Sequence, residues 1–279
     1  MQIIKQKTRT LVTRDNGRSS DAIAPNFIYG CLGGCMNSYC YVGRFNNDKV
    51  YINENVDDIL KSIKTWGNKQ VWPKTPNQVD STYYCIDIGC STDVALHSKH
   101  YDWQKVFDFF NQEPMLKSTF ATKYPTMLKR YNLAPDKHRI RVSLMPQRIS
   151  DIMEPRTDKI QDRINMIPIL QEEMEVHVNF SPIIYYPGWL QDYDELFQQL
   201  LGIDFKSECI FLTYNNIQAE RNSPEVNYYL WHPELQEAKN SEYANDNIRY
   251  QAKLKQGFIQ EFLNLYCKYF PLESVRYIF

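Results

Sequence analysis

The chain has 279 residues, a formal net charge of −1, 43% hydrophobic residues and 23% charged residues. These values are typical of a globular protein and exclude extensive disorder, and the near-neutral charge argues against nucleic-acid binding through overall charge, although a local basic patch would suffice. No apolar run is long enough to span a membrane, and the N-terminus lacks the apolar core of a secretion signal. We therefore expect a cytoplasmic protein, without membrane contact, whose cysteines stay reduced.

Apolar, β-rich runs alternate with amphipathic stretches along most of the chain. This alternation predicts parallel strands joined by right-handed helical crossovers. The sequence therefore predicts an α/β fold, a partial (β/α)6 TIM-like barrel over 1–214, followed by a C-terminal extension over 215–279 that packs on or over the barrel. The predicted strands are 24–30, 82–89, 117–122, 139–145, 175–181 and 208–214, and the predicted helices are 55–66, 101–112, 124–131, 157–173, 189–201 and 249–269.

Three cysteines, Cys31, Cys35 and Cys40, follow directly on the first predicted strand. In an α/β barrel, functional groups lie on the loops at the C-terminal ends of the strands. Three thiolates from one loop can bind three irons of a [4Fe–4S] cluster and leave the fourth iron for another ligand. Structural zinc is one alternative, but it usually takes four ligands in paired spacings, and no second pair occurs here. Cysteines that only fill the core are the other alternative.

Five separated motifs, in order, resemble those of the radical S-adenosylmethionine (AdoMet) superfamily and, within it, the spore photoproduct lyase-like branch. The resemblance extends from about residue 28 to the end of the chain. The family's cysteine spacing is C-x3-C-x2-C, whereas this chain has C-x3-C-x4-C, which alters the wall of the site near Tyr39. The motifs are the cysteine loop with YCYV at 39–42, CSTD at 90–93, ATKYP at 121–125, RVSLMPQRISDIMEPRTDKIQDRI at 141–164 and NFSPIIYYPGW at 179–189.

The resemblance implies that the three cysteines hold a [4Fe–4S] cluster, which is reduced by an external electron donor and passes an electron to AdoMet. The resulting 5′-deoxyadenosyl radical would abstract hydrogen from the substrate. Thr92 and Lys123 match family positions that contact AdoMet, and a lysine at the end of a barrel strand suits its carboxylate. The alternative for Lys123 is an ordinary surface lysine.

Ser143, Ser181 and Arg163 also match cofactor-side positions of the family. The two serines are explained equally well as residues that fill layers of the barrel. Arg163 could instead pair with a carboxylate on the helix surface, such as Asp158 or Asp162.

Cys90 matches the cysteine that returns hydrogen to a product radical in the lyases, and Tyr39 and Tyr41 match tyrosines that relay hydrogen beside it. The alternative for Cys90 is a small buried hydrophobic residue. The remaining cysteines are expected in the core, and they are Cys85, Cys209 and Cys267.

Two classes of substrate are compatible with these motifs. We expect a precursor peptide, because the chain resembles the cyanobacterial spliceases, which excise tyramine and leave an α-keto-β-amino amide with the help of a small partner protein that presents the leader peptide. The short segment before the cysteines and the acidic stretch 171–208 favour this expectation. The alternative is DNA repair by cleavage of a thymine photoproduct, which is favoured by Cys90 and its tyrosines.

Overall fold

The computed structural model describes residues 2–33, 38–40, 49–238 and 247–279. Its contacts divide the chain into two compact units. Unit 1 comprises residues 1–32, 47–142 and 165–177, and unit 2 comprises residues 33–46, 143–164 and 178–279.

Strands and helices alternate from residue 49 onward. The strands are β1 (Gln2–Gln6), β2 (Arg14–Asp15), β3 (Ala22–Ile23), β4 (Ile28–Tyr29), β5 (Lys49–Asn53), β6 (Tyr84–Asp87), β7 (Leu116–Thr122), β8 (His138–Ser143), β9 (Glu175–Ile183), β10 (Lys206–Phe211), β11 (Thr213–Asn215), β12 (Gln236–Ala238), β13 (Asn247–Tyr250) and β14 (Val275–Ile278). The helices are α1 (Val56–Gly67), α2 (Trp103–Gln112), α3 (Gln147–Met153), α4 (Ile160–Gln171), α5 (Trp189–Gln199), α6 (Asn216–Arg221), α7 (Pro224–Leu230) and α8 (Ala252–Tyr266). None of the helices in these described ranges is long and apolar enough to cross a membrane.

Unit 1 contains a sheet in the order β8-β7-β6-β3-β2, in which β3, β6, β7 and β8 are parallel. A second small sheet has the order β1-β5-β4, with β4 antiparallel to β5. In unit 2, β14, β10 and β9 are neighbours in that order, and β11, β13 and β12 form a separate antiparallel sheet. Parallel strands with intervening helices are the arrangement that the sequence predicts.

The two faces of the sheet in unit 1 differ in chemistry. Phe120 and His138 pack on Phe107 of α2, with ring centroids 6.1 and 5.1 Å apart. Because side chains alternate across a strand, Arg139 and Arg141 of β8 point to the opposite face, where both are buried. One face is therefore apolar and covered by a helix, and the other is a buried polar surface.

A buried charge network lies at the N-terminal ends of these strands. Glu175 accepts hydrogen bonds from Arg139 (2.9 Å) and His177 (2.8 Å) and lies 2.5 Å from the Lys117 ammonium. Burial opposes ionisation of Glu175, but the hydrogen bond from His177 and the charges of Arg139 and Lys117 outweigh it and lower the pKa of this carboxyl well below its usual value. Because functional groups of such folds lie at the opposite ends of the strands, we assign this network to stability.

Unit 2 has an aromatic core between β9, α5 and α8. The rings of Phe180, Phe197 and Phe262 lie 5.6 to 6.1 Å apart in edge-to-face pairs. Each such ring contributes a large buried apolar area. The predicted C-terminal helix is present as α8, and its residues Phe258, Phe262 and Leu265 are buried.

Five of the six predicted barrel strands are present, with ends shifted by a few residues, but two predicted elements are wrong. The run 24–30 holds only the two-residue β4. The Ala24 N–H still donates to the Asp87 carbonyl, but the next residue is Pro25, which has no N–H to donate, and the chain leaves the sheet there. The predicted helix at 124–131 is a single 3₁₀ turn, Pro125–Met127, followed by extended backbone at Leu128.

The segment 215–248, for which the sequence analysis gave no helix or strand, holds α6, α7, β12 and the start of β13. Ser223 caps α7 by accepting from the Val226 N–H, with Pro224 at the first helical position. Ser followed by Pro is a sequence signal for a helix start that the polar composition obscured. The proposed boundary between residues 214 and 215 stays a prediction.

Candidate functional site

The cysteine-bearing segment is an excursion between β4 and β5. Its base is closed by antiparallel pairing of Ile28 with Ile52 and of Tyr29 with Tyr51. Gly30 begins the excursion with φ +96°, and a Cβ there would lie 2.6 Å from the Lys49 carbonyl oxygen, so only glycine fits. The excursion therefore starts from the small β1-β5-β4 sheet and not, as expected, from the first strand of the barrel.

Within unit 1, the start of the cysteine segment is bonded to the CSTD motif. The Gly30 N–H donates to the Ser91 carbonyl over 3.0 Å, and Cys31 follows as a buried thiol. Cys90, also a thiol, is half-buried. One hydrogen bond thus ties the residue before the first predicted cluster ligand to the residue after the predicted hydrogen donor.

The turn that carries Cys90 is held by a buried ion pair between Asp87 and Arg141. Asp87 accepts the Gly89 N–H over 2.9 Å through one carboxylate oxygen and Arg141 Nη2 over 2.7 Å through the other. The Thr92 N–H then donates to the Gly89 carbonyl over 3.1 Å. Asp87 and Arg141 had no assigned role in the sequence analysis, and the signal that could have revealed them is a charged residue within a predicted barrel strand.

Asp93, the last residue of CSTD, connects this turn to the loop after β7. Its carboxylate accepts from Thr122 Oγ1 (2.7 Å), the Lys123 N–H (2.8 Å) and the Leu96 N–H (3.1 Å). Burial raises the pKa of Asp93 despite these donors. Asp93 therefore holds the two segments that carry Thr92 and Lys123 in one arrangement, a role that the sequence analysis missed.

A second group of predicted residues comes together in unit 2. Arg163 is fully buried and donates through Nη1 to the Ser143 carbonyl over 2.8 Å. Asn179 Nδ2 lies 3.5 Å from Ser143 Oγ, and Ser181 is half-buried further along the same strand. Ser143, Ser181 and Arg163 thus lie at or behind the C-terminal ends of β8 and β9, as the barrel position of the motifs predicts.

The guanidinium of Arg163 is bonded to several protein acceptors, and its predicted place among the cofactor-side residues stays a prediction. Besides Ser143, it donates to the Asp158 carbonyl (2.9 Å) and the Glu154 carboxylate (2.8 Å). The pairing with Asp158 therefore involves the main chain, and the carboxylate partner is Glu154, not the side chain of Asp158 or Asp162.

Glu154 also accepts a hydrogen bond from Tyr39, the residue before the third cysteine. The Tyr39 hydroxyl donates to the Glu154 carboxylate, and Ser38 Oγ donates to the Met153 carbonyl over 2.7 Å. The buried chain Arg163–Glu154–Tyr39 therefore orients the side of the segment that carries Cys40. Cys35 and Tyr41, which the sequence also predicts at the site, lie outside the described residues.

Of the three remaining cysteines, two are buried and one is exposed. Cys85 and Cys209 are fully buried, and burial raises the pKa of each thiol to about 12, as befits unreactive core residues. Cys267 is exposed at the end of α8, so its predicted place in the core is wrong.

Comparison with known proteins gives a match over nearly the whole chain, because residues 4–278 fit the family model described as spore photoproduct lyase. The chain belongs to the spore photoproduct lyase family. Two relatives, the spore photoproduct lyases of Bacillus subtilis (strain 168) and Geobacillus sp. (strain Y412MC61), are each 25% identical over 284 residues, covering 94% of this chain and 78% of the relative.

Solved structures of spore photoproduct lyase have the same fold. A variant with dinucleoside spore photoproduct aligns with a TM-score of 0.83 at 20% identity, covering 99% of this chain and 82% of the other. A second variant, with bound AdoMet and dinucleoside spore photoproduct, aligns with a TM-score of 0.82 at 19% identity and the same coverage. The predicted α/β partial-barrel class is confirmed by this similarity.

Family membership makes the chain a radical AdoMet lyase whose cofactors are a [4Fe–4S] cluster and AdoMet, as the motifs imply. The described residues fit these groups. Thr92 Oγ1 and Asn179 Oδ1 are buried side-chain atoms without a hydrogen-bond partner among the described residues, and a polar ligand would satisfy such atoms. Cys31 and Cys40 are thiols, the precursors of the thiolates that iron–sulfur clusters require.

The expected peptide substrate and its partner protein, unlike the fold and the cofactors, find no support in the comparisons. Peptide splicing and a leader-binding partner protein are not supported by any of these similarities, and the named relatives match the alternative, a lyase of a DNA photoproduct.

Proposed function

We propose that this protein is a radical AdoMet lyase that cleaves a thymine photoproduct in DNA. The observation that carries the proposal is the similarity to spore photoproduct lyases over 94% of the chain, together with solved relatives that hold dinucleoside spore photoproduct. The Cys90 turn adds support, because a lyase that returns hydrogen to its product needs a thiol held at the site.

In this proposal the protein holds and orients the cofactors. Cys31, Cys35 and Cys40 would bind the cluster as thiolates, and Thr92 and Lys123 would bind AdoMet, with the Lys123 ammonium pairing with the AdoMet carboxylate. With both groups bound, the chemistry supplied at this site would be a radical able to remove a hydrogen atom from the lesion. The rest of the chain keeps this arrangement in place.

Cys90 donates the hydrogen that ends the reaction. The thiol S–H bond breaks, the hydrogen atom passes to the product radical, and a sulfur radical stays on Cys90. Tyr39 and Tyr41 then relay one hydrogen atom from a hydroxyl group to that sulfur, which restores the thiol and leaves a phenoxyl radical on a tyrosine. One electron from the external donor and one proton from solvent convert this radical back to the phenol. The Tyr39 hydroxyl is held by its hydrogen bond to the Glu154 carboxylate.

The deciding experiment compares two substrates under anaerobic conditions with reconstituted enzyme, AdoMet and a reductant. Dinucleoside spore photoproduct should yield two thymine units, measured by mass spectrometry. A tyrosine-glycine precursor peptide, with and without a small leader-binding protein, should stay unchanged. Conversion of the peptide by loss of tyramine, with an unreacted lesion, would replace the proposal with the splicing reaction.

Two cysteine variants test the residue roles. Cys31→Ala should lose both the brown chromophore and 5′-deoxyadenosine release, whereas Cys85→Ala, a buried cysteine outside the motifs, should keep both. Cys90→Ala should keep the cluster and AdoMet cleavage but lose normal product, because the product radical has no hydrogen donor. Unchanged product from Cys90→Ala would remove that residue from the mechanism.

A further inference from the structure

Helix α6, in the predicted C-terminal extension, binds the main chain on both sides of Tyr39. Gln218 Nε2 donates to the Cys40 carbonyl over 2.8 Å and to the Ser38 carbonyl over 3.1 Å. Asn222 Nδ2, at the end of the helix, donates to the same Ser38 carbonyl over 3.1 Å. Two amide side chains therefore hold the backbone at the third cysteine of the motif.

The helix that presents these amides is itself held in place. Asn215 caps it by accepting the Ile217 N–H over 2.9 Å and bonds Asn247 of β13 over 3.0 Å. Asn227 of α7 donates to the Ala219 carbonyl over 2.7 Å. Gln218 is only 5% exposed, so its amide is committed to these acceptors and does not exchange freely with water.

We propose that Gln218, assisted by Asn222, positions Cys40 for binding the iron–sulfur cluster, and that cluster loading and folding of α6 stabilise each other. The inference rests on the proposed role of Cys40 as a ligand. Groups that orient metal ligands typically change metal affinity by about 10- to 100-fold when they are removed. Because linkage is reciprocal, a bound cluster must in turn stabilise the α6 conformation that favours its binding.

The chain offers a matched control for Gln218. Gln236 is also a buried glutamine of unit 2, and its Nε2 donates to a main-chain carbonyl, that of Leu230, over 2.8 Å. Gln236 Oε1 also accepts the His232 N–H over 2.8 Å, so loss of its amide removes two hydrogen bonds, the same number as at Gln218, without touching the cysteine segment. Gln218→Met and Gln236→Met therefore separate an effect on the cluster from a general loss of stability.

The experiment measures the half-life of the cluster in reconstituted enzyme challenged with an iron chelator, followed by its visible absorbance. Gln218→Met should shorten this half-life by about 10-fold relative to Gln236→Met, the lower end of the range for such residues. In wild-type enzyme, hydrogen exchange of the peptide that covers 213–230 should slow when the cluster is loaded. This second measurement needs no variant and holds even if Gln218→Met folds poorly.

Half-lives within about twofold for the two variants, or exchange of 213–230 that does not respond to the cluster, would overturn the inference. A parallel Cys40→Ala variant distinguishes failure of this inference from failure of the proposed function. If Cys40→Ala loses iron while Gln218→Met behaves as its control, the cluster site stands and only the role of α6 falls. If Cys40→Ala retains wild-type iron, the assignment of Cys40 itself is wrong.

Discussion

Replacement of Arg163 by methionine should destabilise the protein severely, because Glu154 would stay buried without its charged partner. The Arg163 and Glu154 side chains are 0% and 1% exposed, and their atoms lie 2.8 Å apart. Removing one member of a buried pair leaves an uncompensated charge and costs about 3–5 kcal/mol. With a urea dependence of about 3 kcal/mol per molar, the unfolding midpoint should fall by at least about 1 M.

The double variant Arg163→Met/Glu154→Leu should be more stable than Arg163→Met alone, since no unpaired charge remains. It still loses the donor to the Ser143 carbonyl and the acceptor for the Tyr39 hydroxyl, each worth about 1–3 kcal/mol when left unsatisfied. With the single variant Glu154→Leu, these proteins form a double-mutant cycle. The coupling free energy between Arg163 and Glu154 from this cycle should be at least about 2 kcal/mol. Urea unfolding of cluster-free protein, followed by circular dichroism, measures it without interference from cofactor binding.

The exposed pair Lys159–Asp151 is the control for this cycle. It is shorter, at 2.6 Å, but its side chains are 65% and 50% exposed. Lys159→Met should cost no more than about 1 kcal/mol, because solvent screens exposed charges. A cost below about 1 kcal/mol for Arg163→Met, or additive effects in the cycle, would refute the argument from burial.

Three further predictions concern unit 1. Glu175→Gln should lower the free energy of unfolding at neutral pH, because the pKa of Glu175 is lowered in the folded state. The stability difference between wild type and variant should be full above the usual carboxyl pKa and should shrink as the pH falls below about 4.5, and urea unfolding across pH 3–7 would measure it. Gly30→Ala should cost about 1–3 kcal/mol in thermal unfolding, because its φ is +96° and the Lys49 carbonyl lies 2.6 Å from the new methyl group, whereas Gly17→Ala, with open space around it, should cost much less. Thr92→Val keeps the side-chain shape but removes the buried hydroxyl, so it should weaken AdoMet binding about tenfold in calorimetry, and an unchanged dissociation constant would exclude Thr92 from the AdoMet site.

The sequence predicts the barrel strands well because their apolar, β-rich runs are local signals. It fails at 24–30 and 124–131, where the residues resemble a strand and a helix but tertiary contacts decide. At Ala24 the chain follows the sheet for one more bond and then turns away, and at Pro125 a single turn gives way to extended backbone. Local propensity is a weak guide wherever neighbouring elements compete for the same backbone groups.

The candidate site divides in the same way. The motifs single out Cys31, Cys40 and Cys90 because their chemistry and spacing are visible along the chain. The residues that position them, such as Asp93 and Gln218, are ordinary polar residues in the sequence and acquire a role only through partners about 30 and 178 positions away.

The sequence alone determined the fold class, the thiol set and the kind of chemistry, because each depends on residue types at short spacings. Only the tertiary structure decided how the cysteine segment is held: Gly30, before its first cysteine, bonds to Ser91 of CSTD, and the Cys40 carbonyl accepts a hydrogen bond from Gln218 of α6. The physical reason is that a buried polar group must find its partner wherever the folded chain supplies one, and that partner is fixed by packing and not by distance along the sequence.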